Sequence, residues 1–215
     1  MIIVKVFVFI ETSSKKKIQI SGNVDASGGI DGGTWLIDPD DITIVSGETS
    51  SNISGDSNMF EPSGESSQIS IDTISDALAG EADVYVMTRL DGGSGAGDIT
   101  WNADATLSAT NSTTKRIVLY AADKITIKGD ITATDAKLNV RLQAQGDVLL
   151  DDNVDITTRG GSFVVKGATD DGDAFGDNSA SNFAGSFRSK SSTTIVTTGK
   201  SDTDGGSVSI KTVSR

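Results

Sequence analysis

The sequence contains neither histidine nor cysteine. Without cysteine there are no disulfides and no thiolate metal sites. Without histidine, the commonest general base and the commonest zinc ligand are missing. Proline occurs only twice and aromatic residues make up 5% of the 215 positions, while apolar residues reach 36%, which is low for a compact globule of this length. Basic residues are outnumbered, 18 against 30 acidic ones, leaving a formal charge of −12. Such a surface repels nucleic acid and anionic membranes, so neither is expected as a partner. Long hydrophobic runs are also scarce. Met1 to Ile10 is strongly apolar but too short to span a bilayer. The basic cluster Lys15-Lys16-Lys17 follows this run instead of preceding it as in a secretory signal. It reads as a strand or a capping segment, with no membrane insertion.

What the chain has in quantity is glycine, 24 residues, with Asp, Asn, Ser and Thr filling the gaps between short β-branched runs. That composition fits many short strands joined by tight turns and fits helices poorly. From Gly97 to Gly167 three sets of apolar runs recur in the same order. Ile99 to Trp101, Ile125 to Ile127 and Val148 to Leu150 form the first set. Ala103 to Leu107, Ile131 to Ala133 and Val154 to Ile156 form the second. Ile117 to Ala121, Leu138 to Leu142 and Phe163 to Val165 form the third. The spacing of roughly 21 to 26 residues signals a stacked repeat. It predicts about three turns of a parallel β-solenoid with three walls, whose thin core tolerates the low apolar content. In the first wall the apolar residues sit two apart, at Ile42/Ile44, Ile99/Trp101, Ile125/Ile127, Val148/Leu150 and Val208/Ile210, which places each pair on one face of a strand.

The organisation expected along the chain follows from this. Residues 1–33 form an N-terminal lead-in or cap, and 34–167 the solenoid turns, with Pro39 at a corner because proline cannot sit in a central strand. Residues 46–67 are a polar loop insertion. Ile69 to Ile71 returns to a strand, and Ile74 to Leu78 makes one helical turn. Residues 168–192 are a second loop excursion, and 193–215 a further turn that is cut short, as in an internal piece of a longer protein. The third wall resumes at Thr194 to Thr197, and Val208 to Ile210 opens a new first-wall strand.

The phrase Gly33-Thr-Trp-Leu-Ile-Asp-Pro-Asp-Asp-Ile-Thr-Ile44 resembles the filamentous-haemagglutinin-type exoproteins of bacterial two-partner secretion, which carry a Gly-x-Trp-Leu-(Leu/Ile)-Asp-Pro phrase before a short (Phe/Ile)-Thr-Ile strand. The resemblance continues through Ile74 to Val84, Gly97 to Asn102, Ile117 to Ala122 and Lys124 to Ile131, covering about residues 33 to 167. It implies an all-β, right-handed parallel β-helix, secretion through an outer-membrane partner, and a place on the bacterial cell surface. The role it implies is that of an adhesin shaft or a toxin-delivery stalk in cell adhesion, meeting host-cell or cell-surface glycans and proteins; for the chain itself no resident cofactor is expected.

Several residues carry chemistry worth weighing against that passive role. Asp170, Asp171 and Asp173, and Asp202 and Asp204, combine clustered carboxylates with glycine, as calcium sites do. Neither group matches an EF-hand loop or the nonapeptide calcium repeat, and solvated turn aspartates are the simpler reading. Parallel β-helices also host polysaccharide lyases and glycosidases, which need carboxylates converging on one wall with a basic residue in reach. Asp130, Asp155 and Arg159, with Lys128 or Arg141 nearby, are the candidates. No long loops build a cleft over 97–167, and the chain is expected not to be an enzyme. Trp35, Trp101 and Tyr120 fall where neighbouring turns place core residues, which favours packing over sugar stacking. Asn52-Ile-Ser54 and Asn111-Ser-Thr113 are glycosylation sequons.

Overall fold

The computed structural model describes residues 9–13, 19–20, 33–38, 41–47, 67–88, 97–167, 185–199 and 205–210. In chain order the elements are β1 (Phe9–Ser13), β2 (Gln19–Ile20), β3 (Thr34–Asp38), β4 (Ile42–Val45), β5 (Ser67–Ser70), α1 (Ile71–Ala79), β6 (Asp83–Met87), β7 (Ile99–Trp101), β8 (Leu107–Ala109), β9 (Lys115–Ala121), β10 (Ile125–Ile127), β11 (Ile131–Ala133), β12 (Leu138–Ala144), β13 (Val148–Leu150), β14 (Asp155–Thr157), β15 (Phe163–Gly167), β16 (Phe187–Ser189), β17 (Thr194–Val196) and β18 (Val208–Ile210). They pair in parallel throughout. The result is an all-β, solenoid-like stack of three parallel sheets.

Alternation explains the walls. The first wall runs β16-β13-β10-β7-β4-β5-β2. Its inward residues Ile42, Ile99, Ile125 and Val148 align in one column and Ile44, Trp101, Ile127 and Leu150 in the next, all at most 2% exposed. Thr43, Thr100 and Thr126 stack between them on the outer side. Burying each such aliphatic side chain contributes about 1.5–3 kcal/mol. A slip of one residue would turn a whole column into water. The second wall runs β17-β14-β11-β8, with Leu107, Ile131 and Ile156 aligned and fully buried. The third wall runs β1-β3-β6-β9-β12-β15-β18 and aligns Trp35, Val84, Ile117, Val140 and Phe163. One apolar core is shared by all three walls. The third wall is also buried on its other face at Tyr85, Val118 and Tyr120. This is why β9 reads as a near-continuous apolar run and not as an alternation.

The helix is longer than expected, spanning Ile71–Ala79 and not the single turn Ile74 to Leu78. Ser70 caps it by accepting the Asp72 N–H at 3.2 Å. Ile71, which was expected in a strand, faces the core with Ile74, Ala77 and Leu78. The helix packs against β8, and Ser75 Oγ donates to the Ser108 carbonyl at 3.0 Å. It thus stands where a further second-wall strand would lie and covers an edge that would otherwise expose unpaired backbone.

Other expectations are corrected as well. The second-wall strand is Leu107–Ala109, not Ala103 to Leu107, because residues before it turn: Ala105 N–H donates to Asn102 O at 3.1 Å. In the third wall Ile117 aligns with Val140, while Leu138 aligns with Lys115, two residues from the expected register. Phe187–Ser189, placed within the 168–192 excursion, is a strand on β13. That strand fills the first-wall position of the last turn, and each strand after it falls one wall earlier in the winding than expected. Thr194–Val196 joins the second wall on β14, and Val208–Ile210 joins the third wall on β15. The first excursion likewise ends one residue early, since Ser67 begins β5.

Candidate functional site

The polar groups of the stack concentrate at its corners, where the residue just before each strand faces outward. At the entrance to the first wall these residues are Asp41, Asp98, Lys124, Asp147 and Ser186. Asp41 Oδ1 accepts the N–H groups of Gly97 and Asp98 at 2.7 and 2.8 Å. Asp98 Oδ1 accepts that of Lys124 at 3.0 Å. Asp147 Oδ1 accepts that of Ser186 at 2.6 Å and the Ser186 hydroxyl at 3.0 Å. At the entrance to the third wall, Asp83 accepts the Arg116 N–H at 3.0 Å and Asn139 that of Ser162 at 2.9 Å. At the second wall, Asp130 accepts the Asp155 N–H at 2.8 Å. Each of these side chains bonds the backbone of the following turn. They act as staples across the stack, and those made by the aspartates are charge-assisted, the stronger class.

Cations complete the pattern. Arg116 Nε lies 3.2 Å from Asp83, Lys124 Nζ 2.9 Å from Asp123, and Lys190 Nζ 2.7 Å from Asp151. Burial pushes the Asp83 carboxyl up, against the opposing pull of Arg116. Burial also raises Asp98, despite the hydrogen bond it accepts from Lys124. The Ser186 N–H lowers Asp147, and the Lys190 ammonium lowers Asp151.

The densest cluster surrounds Glu81, which follows α1 with a left-handed φ of 62°. Its carboxylate accepts the Ser112 N–H, the Thr113 N–H at 3.2 Å and the Thr113 hydroxyl. Lys115 Nζ stands 3.6 Å away. Partial burial raises this carboxyl, but the Thr113 and Ser112 donors outweigh it and hold the group at about 2. Beside it, Asn111 is fully buried, and its amide nitrogen donates to the carbonyls of Thr113 at 2.6 Å and Lys137 at 3.1 Å. The atom to which a glycan would be joined is therefore turned inward and already engaged.

No family model matches the chain, and no curated protein matches it.

The residues singled out for chemistry are placed as follows. Asp130 and Asp155 do stack in successive turns, but the contact between them is the staple from the Asp155 backbone to the Asp130 carboxylate. No hydrogen bond or ion pair joins Arg159, Lys128 or Arg141 to either carboxylate. Trp35 and Trp101 are fully buried in the core, and the Trp101 indole N–H donates to the Ala105 carbonyl. Tyr120 is buried beside Met87, on the side of the third wall opposite the shared core. Asn52, Asp170, Asp171, Asp173, Asp202 and Asp204 lie outside the described residues. Among the described residues no group of three or more acidic side chains could hold a metal ion, and no helix is long and apolar enough to cross a membrane.

Sequence reasoning overlooked the staples, although their signal is visible. An aspartate stands immediately before a β-branched strand residue at Asp41-Ile42, Asp98-Ile99, Asp130-Ile131 and Asp147-Val148.

Proposed function

We propose that this chain is a structural shaft segment of a secreted bacterial adhesin-like exoprotein, a passive spacer that holds an activity away from the cell. The observation that carries this reading is how the corner carboxylates are used. Asp41, Asp98, Asp130 and Asp147 are spent on backbone N–H groups of the next turn instead of converging on a common point. With the in-register core columns, these described turns are fastened to one another at the walls and at the corners. We take the coil to be right-handed, the hand that crossovers between parallel strands adopt in nearly all cases. The likeness of Gly33–Ile44 to two-partner-secretion exoproteins supports export through an outer-membrane partner and residence at the cell surface, with surface glycans or proteins as the ligands of the parent adhesin. A chain free of cysteine suits passage through a pore in an unfolded state.

Single-molecule pulling on the chain, held between two handles, tests the mechanical role. Removal of one turn of about 25 residues should lengthen the tether by roughly 80–90 Å, in repeated steps against sustained force. Smooth extension at the low force of a flexible linker would sink the proposal. So would release of oligosaccharides when the protein is incubated with a panel of anionic polysaccharides.

A further inference from the structure

The chain is wound out of order at one level inside the stack. In the first wall β4 lies between β5 and β7, two strands that both follow it in sequence. The cause is the circuit β5-α1-β6-β7. The circuits from β7 to β10 and from β10 to β13 climb one strand in the first wall, and this one climbs two. A strand layer is about 4.8 Å high, and a helix with its side chains is about 10 Å across. A helix in the second wall therefore lifts the chain by two layers where a strand would lift it by one, and β4 fills the layer that is left. Ile44 lies between Ile69 and Trp101, all three fully buried. The Asp41 carbonyl accepts the Ser67 N–H from below at 3.1 Å, and the Asp41 carboxylate accepts the Gly97 and Asp98 N–H groups from above. The Ile42 N–H donates to the Asp98 carbonyl at 3.0 Å, and the Asn102 N–H to the Ile44 carbonyl at 2.9 Å.

We infer that this level is a lock, in which β4, β5, α1, β6 and β7 open and close as one unit. The boundary that parts β7, β8 and β9 from β10, β11 and β12 is crossed by the chain once, at the corner from β9 to β10. Such a boundary opens by unwinding a single turn, because each turn of a solenoid contacts only its neighbours. The boundary that parts β3 and β5 from β6 and β4 is crossed three times, from β3 to β4, from β4 to β5 and from α1 to β6. Here β4 leaves only when its ladders to β5 and to β7 break together, and β5 cannot be drawn upward past β4. Paired strands continue on both sides, with β1 and β2 below and β9 and β10 above. The lock follows from the winding alone and stands apart from the shaft reading. In a shaft it is the level that stops unwinding begun on one side from reaching the other.

Native-state hydrogen exchange on the full chain, read by peptide mass, tests the lock. Asp41→Ala removes the acceptor of two N–H groups above β4 and keeps the backbone bond to Ser67 below. Exchange at 97–101 should quicken roughly tenfold or more. In a lock, exchange at 67–79 should quicken by the same factor, while 148–157 stays unchanged. A second variant works in the opposite direction. Thr43→Cys with Gln68→Cys places a pair in register across β4 and β5, in a chain with no other cysteine, at a separation that a disulfide spans. Oxidation should slow exchange at 71–79 and at 99–101 alike, and reduction should restore it. The disulfide variant decides the matter even if Asp41→Ala misfolds. Quickening confined to 97–101, slowing confined to the two strands that the disulfide joins, or a disulfide that does not form would each overturn the lock. None of these results bears on the shaft reading, which the pulling experiment tests separately.

Discussion

Glu81 offers the sharpest test of the stapling argument. Its carboxylate bonds two backbone N–H groups and one hydroxyl of a loop more than thirty residues later in sequence, and it faces Lys115, which is 5% exposed. Glu81→Ala removes all of these acceptors at once. Glu81→Gln keeps one acceptor oxygen and loses the charge. The folded carboxyl titrates at about 2 against an ordinary value of 4.5. At full value that difference corresponds to roughly 3 kcal/mol. Solvent reaches 26% of the side chain, so we expect about 1–2 kcal/mol after screening. Because the folded value lies below the unfolded one, this stabilisation is complete above pH 4.5 and is lost as pH falls from 4.5 toward 2. Urea unfolding of wild type and Glu81→Gln should therefore differ by about 1–2 kcal/mol at neutral pH, and by less than half of that near pH 3. Glu81→Ala should cost about 2–3 kcal/mol at neutral pH. A wild-type-to-Gln difference that is the same at both pH values would refute the assignment of the charge to this cluster.

Three further outcomes follow from the same geometry. Leu142→Ala, on the inward side of β12, should cost about 2–5 kcal/mol in urea unfolding, and Thr126→Ala, on the outward side of β10, within about 0.5 kcal/mol; equal losses would mean that the register is wrong. A Cβ on Gly161 would lie 2.1 Å from the Leu138 carbonyl oxygen, whereas one on Gly205 meets nothing within 4 Å. Gly161→Ala should thus lower stability by about 2–4 kcal/mol and Gly205→Ala by less than about 0.5 kcal/mol, as read from thermal melting. Ser70→Ala removes the cap of α1 and should cost about 1 kcal/mol, with loss of helical signal by circular dichroism preceding loss of strand signal.

Where two apolar residues flank one outward residue, as in Ile125-Thr126-Ile127, sequence alone places the strand and its face, because packing enforces a period of two. It fails at Phe187-Arg188-Ser189, where a single apolar residue holds the position and the pairing comes from β13 and not from the local pattern. Missing that one strand shifted both later strands by a wall. The third wall misled for the opposite reason: burial on both faces at Val118 and Tyr120 erases the alternation that would have fixed its register. The corner aspartates were legible as residues but not as staples, since a carboxylate in water and one bonded to the next turn have the same spelling. What separates Asp130 from a catalytic acid is the position of a backbone N–H one turn away. Asn111 matches a sequon in sequence, and only the fold shows which way its amide points.

The connection between β15 and β16 has a consequence for how such a chain can change. Seventeen residues separate the described ends of that connection, from 168 to 184, yet β16 sits on β13, and β18 on β15, with the same parallel pairing found where the connection is a few residues long. The vertical ladder keeps no record of how far the chain travelled between walls. Corner length is then a free variable, one that evolution or an engineer can alter without re-threading the stack, because closing a longer loop costs only with the logarithm of its length. A foreign peptide grafted between residues 168 and 184 would be carried at a fixed height on the shaft, and the number of turns beneath it would set its distance from whatever anchors the base.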